Sequence, residues 1–529
     1  MSAAYLGRVY ATWCNASASL TAYYLGAFCL SALVIWRFWR FTLQPALSPH
    51  YARRLPYSIP VLGQALSFFR DAEGTMTGGR LHFKNTREPF ALTVMGETIY
   101  ILTSSADVSA LYRRTEDLTF DAYITDTMTN MGASIDATRR MWEAPQQRSK
   151  AQFANPKNEP LAHLSLTIFQ HQLHPGQPMK ELEKVLLDRI GEMMSWKRLQ
   201  KTPKAIVTSG EQTMTVSLLE WTTSVMLTSA TEAFFGKALL KIDSDMLDNY
   251  SYFDKHSWKL IYKIPPPWST GMRKARDAVR STFGNYFSLP VEERNDSCWM
   301  VKALEVEMKA CGIGPQDIGA YLMSIYWVIN GNAWKLAFWM LVHILNDESL
   351  LTEVQKEARE SVALTDDPSA MVEHLEKSAL LLSIWNEALR FCTSAITIRD
   401  VARETEIGGK MLKAGARVIV PYKQMLRDPE VFGHDADTFS PRRFLENKQL
   451  AKSPSFRPFG GGITYCPGRF LARKEVLLFV GLVMARFDVR KKDPSGPVPR
   501  LEEKRPCLGV LSARDGDDLL VSVSQATVS

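Results

Sequence analysis

The chain has 529 residues, 46% of them hydrophobic, with 63 Lys and Arg against 56 Asp and Glu for a net charge of +7. The basic residues are spread among the acids and build no long block, which leaves nucleic acid without an electrostatic footprint. A solvated mixed surface, a basic face for an acidic protein and an anionic membrane all remain open. Seven cysteines, Cys14, Cys29, Cys298, Cys311, Cys392, Cys466 and Cys507, form no C-x-x-C pair and have no histidine at zinc-finger spacing. Neither a disulfide framework nor structural zinc is expected, and the scatter suits a reducing compartment.

Residues 20–36 read "LTAYYLGAFCLSALVIW" without a charge, and Arg37 and Arg40 follow. Extended back to Ala16, the run approaches the roughly 20 residues that a bilayer span needs. A cleaved signal peptide is the competing reading, but the basic residues lie after the apolar run and no small-residue cleavage site follows. Positive charge on the carboxyl side predicts a lumenal amino terminus and a cytosolic body. The sequons at Asn249 and Asn295 would then face the cytosol and stay silent. In "RRLPYSIPVLGQALSFF", Pro56 and Pro60 stiffen the exit and Gly63 permits a turn. No linker, repeat or low-complexity tract divides the chain beyond. The expected organisation is an anchor over 1–40, a proline-bearing hinge over 41–63 and one globular body over 64–529.

The body reads as mainly α with a small β portion. After Gly314 and Pro315, "QDIGAYLMSIYWVINGNAWKLAFWMLVHIL" runs to Leu345 without another proline. A single buried helix of about 45 Å is predicted there. A second helix follows at "NDESLLTEVQKEAR", capped by Asn346 or Asp347, and a third carries "EHLEKSALLLSIWNEALRF". Strand-like alternation with turn glycines marks "AITIRDV", "TEIGGKMLKAGARVIVPY" and "DLLVSVSQ".

One segment carries recognisable chemistry. "FGGGITYCPGRF", residues 459–470, sets three glycines before Cys466, and helical periodicity continues from Arg469. A thiolate just before a helix gains from the positive end of the dipole. The glycines are expected to let backbone N–H groups approach the sulfur, Pro467 to preset the helix entry, and Gly468 to leave room for a flat ligand walled by Phe459. A buried free cysteine beside a glycine turn is the bland alternative. A phosphate loop is excluded, because neither G-x-x-x-x-G-K nor G-x-G-x-x-G passes through these glycines.

This segment resembles the F-x-x-G-x-x-x-C-x-G haem-thiolate signature of the cytochrome P450 family at Phe459, Gly462, Cys466 and Gly468. The resemblance implies that fold, preceded here by one transmembrane helix, with haem as cofactor and Cys466 as its axial iron ligand, donating electron density that favours O–O cleavage. Glu387 and Arg390 match the family's E-x-x-R, and Pro441, Arg443 and Phe444 its P-x-R-F element. Together they imply a buried triad of Glu387, Arg390 and Arg443, although Arg442 replaces the usual acid. Arg399 falls where many members bind a haem propionate; an ordinary strand-end arginine is the alternative. The C-helix tryptophan element is matched poorly by "RRMWEAPQQRSK", where Trp142 and Arg148 are the candidates.

The long helix departs from the family pattern. An acid and a threonine usually stand above the iron to manage protons, whereas "VINGNAWKLAFW" places Gly331 and Asn332 there. The stretch is similar to prostacyclin synthase and the sterol 7-alpha-hydroxylase type, and the haem segment to members of fungal specialised metabolism. An asparagine amide can donate a hydrogen bond or orient a water, so hydroxylation remains open. So does isomerisation or dehydration of a peroxide without a reductase, and a polar residue easing a helix bend is the structural reading. The resemblance therefore implies an endoplasmic-reticulum membrane monooxygenase acting on a lipophilic terpenoid, steroid-like or polycyclic substrate. Its electrons would come from NADPH through NADPH-cytochrome P450 reductase, docking near Arg469, Arg473 and Lys474.

Overall fold

A computed structural model describes residues 3–143, 155, 157–210 and 212–526, with side chains from residue 21 onward. Helices dominate, and most of the buried apolar residues join one large cluster. Three sheets flank it. The largest has six strands in the spatial order Arg53–Arg54, Phe90–Val94, Glu97–Ile101, Arg417–Pro421, Ile396–Val401 and Leu118–Thr119. A four-stranded sheet joins Phe487–Lys491, Leu520–Gln525, Thr213–Ser217 and Ile206–Ser209, and a two-stranded hairpin joins Thr405–Ile407 to Lys410–Leu412. Every stretch read as a strand from alternation near the carboxyl end is one.

The uninterrupted long helix is not observed. It breaks into Pro315–Asn330 and Ala333–Leu345, with Gly331 still helical in φ and ψ and Asn332 at φ −131°, ψ −39°. Both halves are heavily buried, as their apolar circumference requires. The first half crosses Pro266–Ser288 closely: a Cβ on Gly319 would lie 2.6 Å from the backbone nitrogen of Gly284. The second packs among Leu218–Phe235, Ala379–Cys392 and Arg469–Arg486. Trp339 on this half donates its indole N–H to Leu511 O at 2.7 Å.

Caps set the neighbouring boundaries. Asp347 accepts from Leu350 N at 3.0 Å and starts the helix Glu348–Ala363. The third predicted helix is two, Pro368–Leu375 and Ala379–Cys392, because Ser378 accepts from Leu381 N at 2.9 Å and opens a new one.

At the amino terminus, Ala3–Phe38 continues through a π-type turn, Trp39–Leu43, into Gln44–Leu47. Thr21–Leu47 is the one helical stretch among the described residues long and apolar enough to cross a membrane. Its end is packed onto the body, since Trp36, Phe41 and Tyr57 form a ring cluster with centroids 5.0–5.7 Å apart. Residues 53–54 already pair with the large sheet, and Gly63, at φ +59°, passes so close to Thr93 that a side chain there would collide with its carbonyl.

Candidate active site

Cys466 sits where the glycine-rich loop enters the helix Arg469–Arg486, its backbone N–H bonded to Phe459 O at 3.2 Å. Burial pushes the thiol up, while the N–H groups of Gly468 and Arg469 and the Arg469 charge pull it back toward the thiolate. The donors to sulfur thus follow the cysteine rather than precede it, contrary to the expectation for the three glycines. Those glycines serve the turn instead. Gly460 and Gly462 lie at φ +77° and +62°, and a Cβ on Gly462 would meet the Tyr112 ring at 2.5 Å. A Cβ on Gly468 would meet only Cys466 Sγ, at 3.9 Å, so the space beside the sulfur is open.

That space is a cavity of about 520 Å³, within the range of small-molecule sites. Cys466, Gly468, Phe459, Arg399, Gly331 and Asn332 all line it. The structure therefore brings together the candidate metal ligand, three of the candidate cofactor residues and both candidate residues of the long helix. Gly462 belongs to the loop beneath and does not reach the cavity wall, and Glu387, Arg390 and Arg443 lie away from it. Trp142 is partly buried against His163 and is not among the lining residues, while Arg148 lies outside the described residues.

Arg399 tests whether a carboxylate-bearing cofactor fits. It is 3% exposed, on the strand Ile396–Val401, and donates to Ile398 O at 2.7 Å and Thr464 Oγ1 at 2.6 Å. Its guanidinium lies 4.9 Å from the Phe120 ring centroid, and burial pushes its pKa down. No carboxylate pairs with it among the described residues. A buried cation aimed into a cavity without an anion is costly on its own and matches a group that brings carboxylates. With the thiol on the same cavity and open space beside it, the donor set fits haem.

The helix break forms another part of the wall. Asn332 Oδ1 accepts from Val510 N at 2.8 Å, and a Cβ on Gly509 would fall 1.9 Å from that oxygen. The asparagine therefore ties the break to the turn at 507–511 and keeps its amide N–H₂ for other partners. A residue that sequence reading passed over stands one turn on. Lys335 Nζ bonds Asp254 Oδ2 at 2.7 Å, and Asp254 Oδ1 accepts from Trp327 Nε1 at 3.0 Å. The pair is buried, at 9% and 8% side-chain exposure, and both residues line the cavity. A lone lysine inside an otherwise apolar helix was the available signal; nothing around Asp254 announced its partner.

The triad is assembled as expected. Glu387 and Arg390, both fully buried, pair through Oε2···Nε at 2.8 Å and Oε1···Nη2 at 2.7 Å. Arg443 Nε reaches Glu387 Oε1 at 3.2 Å, and Ser440 N donates to the same oxygen at 2.8 Å. Arg390 also donates to the carbonyls of Leu426, Ala436 and Thr438 at 3.1, 2.6 and 2.9 Å, fastening the loop that leads to Cys466. Arg442, the departure from the family's acid, points instead to Glu353 at 2.6 Å. Of the residues expected at the docking face, Arg473 pairs with Glu376 at 2.7 Å while staying 42% exposed, and Lys474 pairs with Glu183 at 2.6 Å. Arg469 lies over the Tyr465 and Phe470 rings and donates to Cys466 O at 2.7 Å.

Comparison with known proteins bears on this geometry. The family model described as Cytochrome P450 matches residues 336–521, which hold the second half of the long helix, the triad and the cysteine loop. A cytochrome P450 monooxygenase named poxD, from Penicillium oxalicum, is 25% identical over 87% of this chain and 90% of its own length. Another, nodJ of Hypoxylon pulicicidum, is 24% identical over 88% and 87%. A 5-beta-cholestane-3-alpha,7-alpha-diol 12-alpha-hydroxylase from Sus scrofa is 24% identical over 62% of this chain and 69% of its own. Cysteine loop, carboxylate-seeking arginine and buried triad agree with the comparisons: residues 336–521 match the cytochrome P450 family, oxidoreductases that carry haem on a cysteine thiolate, and similarity to its monooxygenases runs through nearly the whole length.

Proposed function

We propose that this enzyme inserts oxygen into a lipophilic terpenoid, steroid-like or polycyclic molecule of specialised metabolism. The observation that carries this reading is the cavity shared by the Cys466 thiol, the carboxylate-free Arg399 and the broken helix at Gly331–Asn332. Residues 1–40 anchor the chain as a single pass in the endoplasmic reticulum membrane, residues 41–63 connect, and residues 64–529 form the cytosolic catalytic domain. NADPH-cytochrome P450 reductase supplies the electrons.

Cys466 would hold the iron, Phe459 and Gly468 would flank the macrocycle, and Arg399 would receive a carboxylate of the cofactor; Gly462 shapes the loop beneath. Haem, when bound, supplies the iron chemistry that cleaves dioxygen and oxidises a C–H bond. The protein's part is placement and proton handling. Asn332 is held by Val510 N through its carbonyl oxygen, which leaves its amide to donate at the reacting centre or to orient one water. Gly331 lines the same wall, where a Cβ would stand 2.9 Å from Trp327 O and 3.6 Å from Asp254 Oδ1. Apolar residues such as Phe169, Ile325, Val328 and Leu389 exclude bulk water and favour a lipophilic substrate. Lys335 retains N–H groups beyond its Asp254 bond, so an oxygen substituent on the substrate would find a donor at that wall.

The test is oxygen origin. The full chain is expressed with a reductase in yeast membranes and supplied with steroids and terpenoids under isotopically heavy dioxygen. A product carrying one heavy oxygen and requiring NADPH is expected. A product without the label, formed equally when NADPH is withheld, would overturn monooxygenation in favour of isomerisation or dehydration of a peroxide.

A further inference from the structure

Away from the catalytic cavity, a crevice of about 60 Å³ lies where the apolar amino-terminal helix meets the body. Arg40, Arg53, Arg54 and Lys413 line it, together with Ser48 and Tyr51. A water occupies about 30 Å³ of liquid, so the crevice admits one small oxyanion and no acyl chain. The cations are poorly compensated. Arg54 Nη1 is bonded only to the hydroxyls of Thr98 at 3.0 Å and Thr93 at 3.3 Å. Arg40 Nη1 donates to the Gln44 amide oxygen at 2.7 Å. Lys413 Nζ lies over the Tyr51 ring, 4.2 Å from its centroid. None of these three has a carboxylate partner within ion-pair distance among the described residues. Of the nearby acids, Glu88 is taken by Arg53 and Lys410, and Glu404 interacts with the Tyr51 hydroxyl.

The two arginines oppose each other energetically. Burial pushes the Arg54 guanidinium down, and the charge of Arg40 adds to the effect. An anion between them would relieve both costs through charge-assisted hydrogen bonds. Arg40 lies within the stretch Thr21–Leu47 itself, near its carboxyl end, and the crevice opens where that stretch ends; with that stretch spanning a bilayer, this end would face the headgroup phosphates.

We propose that this crevice is a binding site for the phosphate of an anionic membrane phospholipid, held by Arg40 and Arg54 with Lys413 and the Ser48 hydroxyl at its rim. The proposal rests on the helix being a membrane anchor. A lipid seated here would fix the angle at which the body leaves the membrane, because the same junction carries the ring cluster of Trp36, Phe41 and Tyr57.

The full-length, haem-loaded protein in a neutral detergent is titrated with dihexanoyl phosphatidic acid, dihexanoyl phosphatidylcholine and inorganic phosphate, and bound ligand is counted by native mass spectrometry. One equivalent of phosphatidic acid is expected, with affinity at least tenfold above phosphatidylcholine and above inorganic phosphate. Arg54→Gln and, separately, Arg40→Gln should each lose at least tenfold, and Lys413→Gln several-fold. Arg40 and Lys413 lie at the margin of the body, so their variants decide the matter if Arg54→Gln fails to fold. Equal binding by wild type and the Arg40 and Lys413 variants would overturn the site. Equal affinity for inorganic phosphate would assign it to a free anion and overturn the lipid. Flotation on pure phosphatidylcholine vesicles checks the anchor separately: failure of the wild type to float would remove the anchor, whereas equal flotation of wild type and Arg40→Gln would leave it standing whatever the lipid result.

Discussion

Replacing Arg390 with methionine should cost the protein its catalytic body. The side chain is fully buried, forms two hydrogen bonds to Glu387 and holds three backbone carbonyls at 426, 436 and 438. Breaking a buried ion pair by removing one partner costs about 3–5 kcal/mol. Each carbonyl left without a donor adds about 1–3 kcal/mol, less wherever water enters. The total reaches the whole stability of a typical domain, about 5–15 kcal/mol. Removing both charges, in Glu387→Leu with Arg390→Met, should give little rescue, because the carbonyls and the Ser440 N–H remain unpaired. Arg390→Lys should fall between, since an ammonium can keep the Glu387 contact without the planar set of donors. The measurement is haem content and the reduced carbon-monoxide difference spectrum of membranes, with urea denaturation of whatever protein accumulates. Normal haem content in Arg390→Met, with a midpoint corresponding to less than 1 kcal/mol lost, would refute the role assigned to the triad.

Three further outcomes are expected. Gly509→Ala would place its Cβ 1.9 Å from Asn332 Oδ1, so it should reproduce Asn332→Ala, lowering product formed per NADPH consumed several-fold; normal coupling in Gly509→Ala would separate the two residues. Arg399→Met should keep the fold, since a buried cation without a carboxylate partner is replaced by an apolar chain, yet release haem faster; haem-transfer kinetics to apomyoglobin measure it, and an unchanged rate would remove the propionate role. His343, stacked 3.6 Å from the Phe439 ring, is held neutral by burial, with its pKa lowered to about 4 from 6.5. Its contribution is present above pH 6.5 and lost as pH falls toward 4, because the unfolded chain binds a proton that the folded one refuses. His343→Phe should flatten that part of the stability profile by up to about 3 kcal/mol; an identical acid limb in wild type and variant would count against it.

The chemistry was legible where it depends on short spacings. Phe459, Cys466 and Gly468 lie within ten residues, and Glu387 and Arg390 one helical turn apart, so local geometry carries most of the information. The strands 396–401, 417–421 and 520–525 were also legible, because alternation is a local property. The break at Gly331–Asn332 was not, since an apolar run without proline reads as one helix. What opens it includes the remote turn at 507–511, which competes for Asn332 through the Val510 N–H. The same limit hid Asp254 behind Lys335, 81 residues apart. It also misassigned the loop glycines, whose close neighbour is Tyr112, more than three hundred residues earlier in the chain. The partners of Arg473 and Lys474 were hidden in the same way, because Glu376 caps the helix Pro368–Leu375 and Glu183 belongs to the helix Gln177–Met193.

The assignment of Cys466 is best examined by spectroscopy on the full chain and its Cys466→Ser variant, each reduced and exposed to carbon monoxide. Wild type should give the red-shifted Soret band of a thiolate-ligated ferrous carbonyl haem. Cys466→Ser should lack it while remaining folded by circular dichroism. A thiolate-type band that survives in Cys466→Ser, or a folded wild type that takes up haem and never shows one, would remove Cys466 as the iron ligand.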